Sequence, residues 1–576
     1  MDTIANILTG VTISAKRYSE IIPSQNLSGE ELQQLNSHSV ADAIRYFSGI
    51  QIKDYGGIGG LKTVDIRSMG SNHMGVFYDG IQLGNAQNGQ IDLGKFSLDN
   101  IDEISLYNGQ KSEIFQPAKD FGSAGTIYIK TRRPKFTENK KFNIRGIFRT
   151  GSFGLANPSV LWEQKITKSI SSSLNAEYIY STGKYKFRYR RVLPDGTVAW
   201  DTTAIRQNGD IQVFRMEGGL YGYLKNVNWN AKAYFYDSEK GIPGAIVNNV
   251  WKRSQRQWDR NFFTQASLST TVSRWYELLA NFKYANDYMR YLNPDTTLMY
   301  IDNRFTQQEI YTSLANKFSI LKKWDMALST DFQWNMLDAD LQNFVQPQRY
   351  TTLVALATAF EFWRIKMQAS LLGTFIQEKA DWKGLPNLFP KEQISTAPNK
   401  QKFTPAFFLS YKPLKKEEFH MRAFYKRIFR MPTFNDLYYT DIGNTSLRPE
   451  YTTQYNVGVH YTKNFKNGIL KTLTLNTDAY YNEVTDKIVA IPKGNGQFRW
   501  MMMNIGFVKI RGIDARAQFN WKFPYNIRLQ THFNYTYQKA QDFSDPADND
   551  PIAGTWKGQI AYIPWHNGSF TFRASY

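Results

Sequence analysis

From Phe142 onward the chain alternates apolar and polar positions with a period of two. Phe142, Ile144, Gly146 and Phe148 share one face, and Asn143, Arg145 and Arg149 the other; far downstream, Leu473, Leu475 and Thr477 interleave with Thr474, Asn476 and Asp478. That period predicts β-strands. Soluble sandwiches use strands of about 5–6 residues, whereas these run to ten and more. Long strands with one apolar face, one polar face and aromatic ends predict a transmembrane antiparallel β-barrel, whose side chains point alternately to lipid and to a wet lumen. About 18 such strands follow Lys141. Tight connections such as Lys225–Asn228 alternate with the polar insertions Arg190–Ile211, Met431–Arg448 and Gln541–Thr555, so the insertions are expected on one rim and the tight turns on the other. The alternative from a different class is a soluble, secreted β-rich adhesin.

The first 135 residues read differently. Ser28-Gly29-Glu30-Glu31 has the pattern of a capping box, with Leu32 and Leu35 following at helical spacing. A second helix is expected over Ser39–Phe47, with Gly49 beyond its end. The period then becomes two: Val64 and Ile66, Val76–Tyr78 and Ile81–Leu83 about the turn dipeptide Asp79-Gly80, Ile104 and Leu106, and Ile127 and Ile129. The reading is mainly β, with a small α/β domain preceding the barrel. The divisions are a polar lead (1–20), the α/β domain (21–135) and the barrel (136–576).

Composition narrows the chemistry. Cysteine is absent, so disulfides, thiolate metal sites and cysteine nucleophiles are excluded. Aromatic residues reach 15 % while the mean hydropathy is −0.48; a barrel with aromatic girdles and a polar lumen reconciles the two. The longest nearly uncharged stretch, Leu353–Phe360, is far shorter than the roughly 18 residues of a membrane helix. The net charge is +20 (70 Lys and Arg against 50 Asp and Glu), and the Lys and Arg are dispersed along alternating positions, which argues against a nucleic-acid footprint. The six histidines are scattered and no nucleophile motif or phosphate loop is present, so no catalytic site, cofactor or resident metal is expected. Asp542, Asp545, Asp548 and Asp550 could ligate calcium but lack the spacing of a known loop.

Four motifs of the leading domain, Val64-Asp65-Ile66-Arg67-Ser68-Met69-Gly70, Val76-Phe77-Tyr78-Asp79-Gly80-Ile81, Ile101–Gly109 and Phe121–Ile129, occur in the order found in TonB-dependent outer-membrane receptors. Phe429–Tyr438, Leu447-Arg448-Pro449-Glu450, Gly512-Ile513-Asp514 and Tyr562–His566 extend this resemblance over nearly the whole chain. Gly89–Phe96, Asn108-Gly109-Gln110, Ile114–Ala118 and Gly241-Ile242-Pro243-Gly244 are similar to the cobalamin-receptor group of Bacteroidota. The resemblance implies a plug domain inside a barrel of 22 strands, against about 18 counted here. Met1-Asp2-Thr3-Ile4 lacks a basic start and an apolar core, so the chain is expected to be a fragment without its leader and last strands.

The resemblance further implies TonB-driven import across the outer membrane of a Gram-negative bacterium, with cobalamin or a related corrinoid as the expected cargo. A ferric siderophore or haem is the alternative, and a surface lipoprotein lid is compatible with the group. Val11, Thr12, Ile13, Ser14 and Ala15 form a β-prone segment in a polar lead, suited to adding as a strand to the edge of the TonB C-terminal domain. Ligand is expected at Tyr55, Gly57 and Leu61, in a glycine-rich loop that lets backbone approach closely. Ser71, Asn72, His73, Asn85, Gln87 and Asn88 offer neutral hydrogen-bonding groups suited to an amide-fringed, nearly uncharged ligand.

Overall fold

The computed structural model describes residues 21–576 apart from 23, 36, 138, 245, 247–253, 297–299, 342–343, 383–395, 415–417, 440–442, 493–499, 526 and 552–553. The candidate handle at residues 11–15 lies outside the described residues.

The leading domain runs β1 (Gln25–Ser28), α1 (Gly29–Gln34), α2 (Val40–Ile44), β2 (Ile50–Asp54), β3 (Lys62–Ile66), β4 (Met74–Tyr78), β5 (Ile81–Gln82), β6 (Ile101–Asn108) and β7 (Gly125–Thr131). Its sheet has the order β1-β6-β7-β4-β5, antiparallel except for the parallel pair β4 and β7. Two local expectations change. Ser28 precedes α1, but its side chain makes no capping bond. The second helix stops at Ile44, short of Phe47, because the backbone N–H and C=O of Ser48 are taken by the Gln25 side chain. The Asp79-Gly80 turn is observed, with φ of 49° and 86°, the left-handed pair that a two-residue hairpin needs.

Among the described residues eighteen strands, from Phe142–Gly151 to His566–Ser575, follow one another around a barrel in chain order. The two flanking strands are neighbours in that ring, yet among the described residues no ladder joins them. The stretch after Ser181, which includes most of the polar insertion at 190–211, forms a separate hairpin of Lys186–Val192 and Val198–Ile205, reversed near Asp195-Gly196 (Gly196 φ 85°). It stands on the rim that carries the long loops. On the opposite rim the tight turns present exposed Trp275, Trp363 and Tyr525, aromatic residues suited to a membrane interface.

The barrel inverts the burial of a soluble protein. Leu174, Phe282, Leu328, Leu356, Phe407 and Val457 point outward and are exposed, while Lys283, Glu309, Asp331 and Lys426 point into the lumen and are buried. An apolar outer face over a polar lumen is the arrangement suited to lipid, where such exposure carries no penalty. The plug fills the lumen. Ile44, Ile104, Ile127 and Ile129 of the plug share one apolar cluster with Ile179, Val213, Phe263 and Ile510 of the wall, and no described helix is long and apolar enough to span a membrane.

Candidate functional site

The 84–90 loop of the plug divides two cavities that open toward the long-loop rim. One, about 240 Å³, is lined by Asn72, His73, Asn85, Lys119, Arg349 and Arg430. The other, about 280 Å³, is lined by Leu61, Asn85, Gln87, Asn88, Lys95 and Asp259 among others. The loop is fixed from both sides. The Asn85 side chain accepts from the Asn88 N–H at 3.1 Å and donates to the Gln90 carbonyl at 3.2 Å. The Gln87 N–H donates to Gln307 Oε1 of the wall at 2.8 Å.

The expected surface insertion at 431–448 instead reaches down to this loop. It forms a short helix, α3 (Phe434–Tyr438), closed by a capping box between Thr433 and Asp436. Phe434 and Asn435 N–H donate to the carbonyls of Ala86 and Gln87 at 2.8 and 2.9 Å. The first helical turn leaves such N–H groups without intrahelical acceptors, so the plug loop completes the helix. Thr433-Phe434-Asn435-Asp436 carried this signal in the sequence.

The residues expected at the ligand separate into three sets. Asn72, His73 and Asn85 line the first cavity, and Leu61, Asn85, Gln87 and Asn88 the second. Tyr55, Gly57 and Ser71 line neither. The glycine loop serves its own closure: the Tyr55 N–H donates to the Leu61 carbonyl at 3.0 Å, and a Cβ on Gly60 would stand 2.4 Å from Gly56 N. The His73 ring is buried and engaged by the wall, with Nε2 2.8 Å from Glu450 Oε2 and Nδ1 3.3 Å from Thr452 Oγ1.

Strand register supplied what residue types alone did not. Arg349 and Arg430 face the first cavity already paired to Glu378 and Glu450. Lys119 joins them, donating to Gln333 Oε1, and burial holds its ammonium below the ordinary lysine range. Around the second cavity Lys95 and Lys240 share Asp259, and Lys283 pairs with Glu309. The cavities therefore offer hydrogen-bonding groups with their charges largely compensated. Asp542, Asp545 and Asp548 spend carboxylate oxygens on Ser544, Ala547 and Thr555, and no metal-holding group of three or more His, Cys, Asp or Glu occurs among the described residues.

The plug is seated by ion pairs that cross to the wall, foremost Arg67–Asp514 and Asp99–Arg149. Burial would raise the Asp99 carboxyl, but the Arg149 donors overcome it and hold the group below the usual carboxylate range. A depressed folded value stabilises above the unfolded value and loses that contribution as pH falls through the folded one. Plug seating is therefore expected to weaken below about pH 4, and Asp99→Asn to flatten the acid limb of a protease-protection titration.

A stoppered barrel with ion-paired seating and outward cavities defines an outer-membrane receptor of the gated-import class. Residues 162–576 match the family described as TonB dependent receptor-like, beta-barrel, and residues 17–119 match the TonB-dependent Receptor Plug Domain. The chain belongs to the TonB-dependent receptors, a family of outer-membrane transporters and not of enzymes, and this sets the adhesin alternative aside. It is similar to the vitamin B12 transporters BtuB of Vibrio vulnificus (21 % identical over 539 residues, 88 % of this chain and 75 % of the relative) and Photobacterium profundum (21 % over 559 residues, 92 % and 78 %). Among solved structures it resembles the FrpB iron transporter of Neisseria meningitidis at 10 % identity, with a TM-score of 0.69 over 91 % of this chain and 81 % of that one.

Proposed function

We propose that this receptor imports cobalamin or a related corrinoid, drawing energy from TonB through residues 11–15. The supporting observation is the chemistry of the two cavities: amide side chains at Asn72, Asn85, Gln87 and Asn88 beside charges that are already paired. A neutral, amide-fringed ligand can exchange hydrogen bonds there without displacing an ion pair, whereas an anionic iron chelate gains most from unpaired guanidinium or ammonium groups. Alignment with two vitamin B12 transporters over most of the chain supports the same reading. The outer wall faces lipid and lipopolysaccharide, and a surface lipoprotein lid would cover the long-loop rim.

Lys119, whose ammonium meets the neutral Gln333 side chain at the first cavity, favours a second reading, a ferric siderophore or haem. The FrpB likeness carries the fold alone. Saturable binding of labelled cyanocobalamin to the purified receptor, with no competition from ferric chelates or haem, separates the readings; absence of binding removes the first. Asn85→Ala deletes both bonds that shape the loop, so binding should weaken about tenfold, the equivalent of 1.4 kcal/mol. Unchanged affinity would place the cargo elsewhere.

A further inference from the structure

The two rims of the barrel carry charge differently. At the long-loop rim cations and carboxylates pair, as in Arg188–Asp201, Arg256–Asp210, Arg290–Asp302, Arg304–Asp340 and Arg448–Asp486. At the tight-turn rim every connection between neighbouring strands carries or adjoins a Lys or Arg, from Lys168 and Lys225 through Arg274 and Lys322 to Lys466 and Lys522, against one acid, Glu417. Lys323 and Lys412 lean on Glu361 and Glu418, but Lys168, Lys225, Arg274 and Lys322 meet no carboxylate among the described residues. A ring of one sign repels itself, and an anionic surface opposite relieves that repulsion.

Above two of these turns the outer face of the wall is notched. A cavity of about 560 Å³ lies on the strands Leu155–Lys165, Ile170–Ser181, Ile211–Leu224 and Val227–Ile242, which are consecutive in the ring. The exposed side chains of Trp162, Leu174 and Leu220 stand around it. Across the ladder Gly218 faces Ala233 and Leu220 faces Ala231, and a Cβ on Gly218 would meet nothing within 4 Å. The space exists because small side chains stand here, where the neighbouring wall exposes Leu268, Phe282 and Leu328.

Toward the rim the chemistry changes in the order that a phospholipid presents. Gln164 and Ser172, opposite each other across the ladder, line the notch with an amide and a hydroxyl. Beyond them lie Lys168 and Lys225, both exposed, on turns joined by the bond from the Tyr223 N–H to the Ser169 carbonyl at 2.9 Å. Leu220 lies about 17 Å along its strand from Lys225. At a tilt of about 40° that is about 13 Å in depth, inside the roughly 15 Å of one hydrocarbon leaflet. A zwitterionic lipid would also bring an ammonium group, for which residues 166–169 and 225–226 offer no carboxylate.

We propose that this notch binds an anionic phospholipid of the leaflet at the tight-turn rim. Its phosphate lies against Lys168 and Lys225, its ester carbonyls accept from the Gln164 amide and the Ser172 hydroxyl, and one acyl chain fills the space over Gly218. The site is separate from the lumen and independent of the imported cargo.

Native mass spectrometry of the intact receptor, in detergent micelles holding equal amounts of phosphatidylglycerol and phosphatidylcholine, tests the site. The parent should retain the anionic lipid about tenfold over the zwitterionic one, and Lys168→Gln with Lys225→Gln should reduce that preference to within about twofold of parity. Arg274→Gln with Lys322→Gln removes the same charge elsewhere on the rim and should leave the preference within about twofold of the parental value. Gly218→Leu fills the notch, so retention of both lipids should fall about fivefold or more while the preference persists. No preference in the parent, equal loss in the two charge variants, or retention unchanged by Gly218→Leu overturns the proposal. Sedimentation with peptidoglycan that is lost on Lys168→Gln with Lys225→Gln, while the lipid preference stays, would give these cations to the cell wall and also overturns it.

Discussion

Asp514→Ala should loosen plug seating by about 3–5 kcal/mol, because it strands a buried guanidinium. Arg67 leaves β3 through two non-glycine residues in left-handed conformation, Arg67 and Ser68 (φ 50° and 59°), and this turn sends its side chain into the wall. Its Nε donates to Asp514 Oδ2 and its Nη1 to Asn456 Oδ1, both at 2.8 Å, while the guanidinium lies 4.1 Å from the centre of the Tyr480 ring. The Arg67 and Asp514 side chains are 1 % and 4 % exposed. Water cannot replace the missing carboxylate at such a site, so the full desolvation cost appears. The urea midpoint of plug release, read as protease sensitivity in detergent, should fall sharply. Arg67→Met with Asp514→Leu should recover most of the loss, since removing both charges leaves neither uncompensated. An unchanged midpoint in the single variant would show that the plug is held elsewhere.

Deleting residues 11–15 should reduce uptake of labelled cyanocobalamin to the unenergised background while equilibrium binding stays at the parental value. The outward cavities are built by residues 61 and beyond, so the deletion leaves them untouched. It removes the backbone that would add to the partner's sheet edge, where main-chain bonds provide the grip. Side-chain replacements within the segment that keep it extended should have smaller effects, and proline, which lacks the N–H donor, a large one. Normal uptake after the deletion would remove the handle from this segment; loss of binding would place part of it in the ligand site.

The fold was legible because two periodicities were. Alternation at period two over strands of ten and more residues has few homes other than a barrel with unlike faces, and the count of about 18 strands matches the ring. The Asp79-Gly80 hairpin was equally readable, since left-handed φ at both central residues restricts the turn chemically. The hairpin at Lys186–Val192 and Val198–Ile205 is less legible because its first strand carries charge on both faces, with Arg191 opposite Lys186, Arg188 and Arg190, and its second has Asp201 as its one charged residue.

The site was legible only in part. Amide-rich loops could be recognised from composition, and Asn85, Gln87 and Asn88 do line a cavity. His73 could not be told from them, because a histidine bonded to Glu450, 377 positions away, has the same local sequence as a free one. Likewise Val64-Asp65-Ile66-Arg67 reads as a half-exposed strand, yet all four residues are buried, the polar pair included. Sequence alone determined which residues alternate and where the backbone turns, since both are local steric and solvation preferences. Tertiary structure alone decided which lumen charge meets which plug charge, because closing the wall around a second domain places residues hundreds of positions apart within 3 Å and replaces the water that a local pattern assumes.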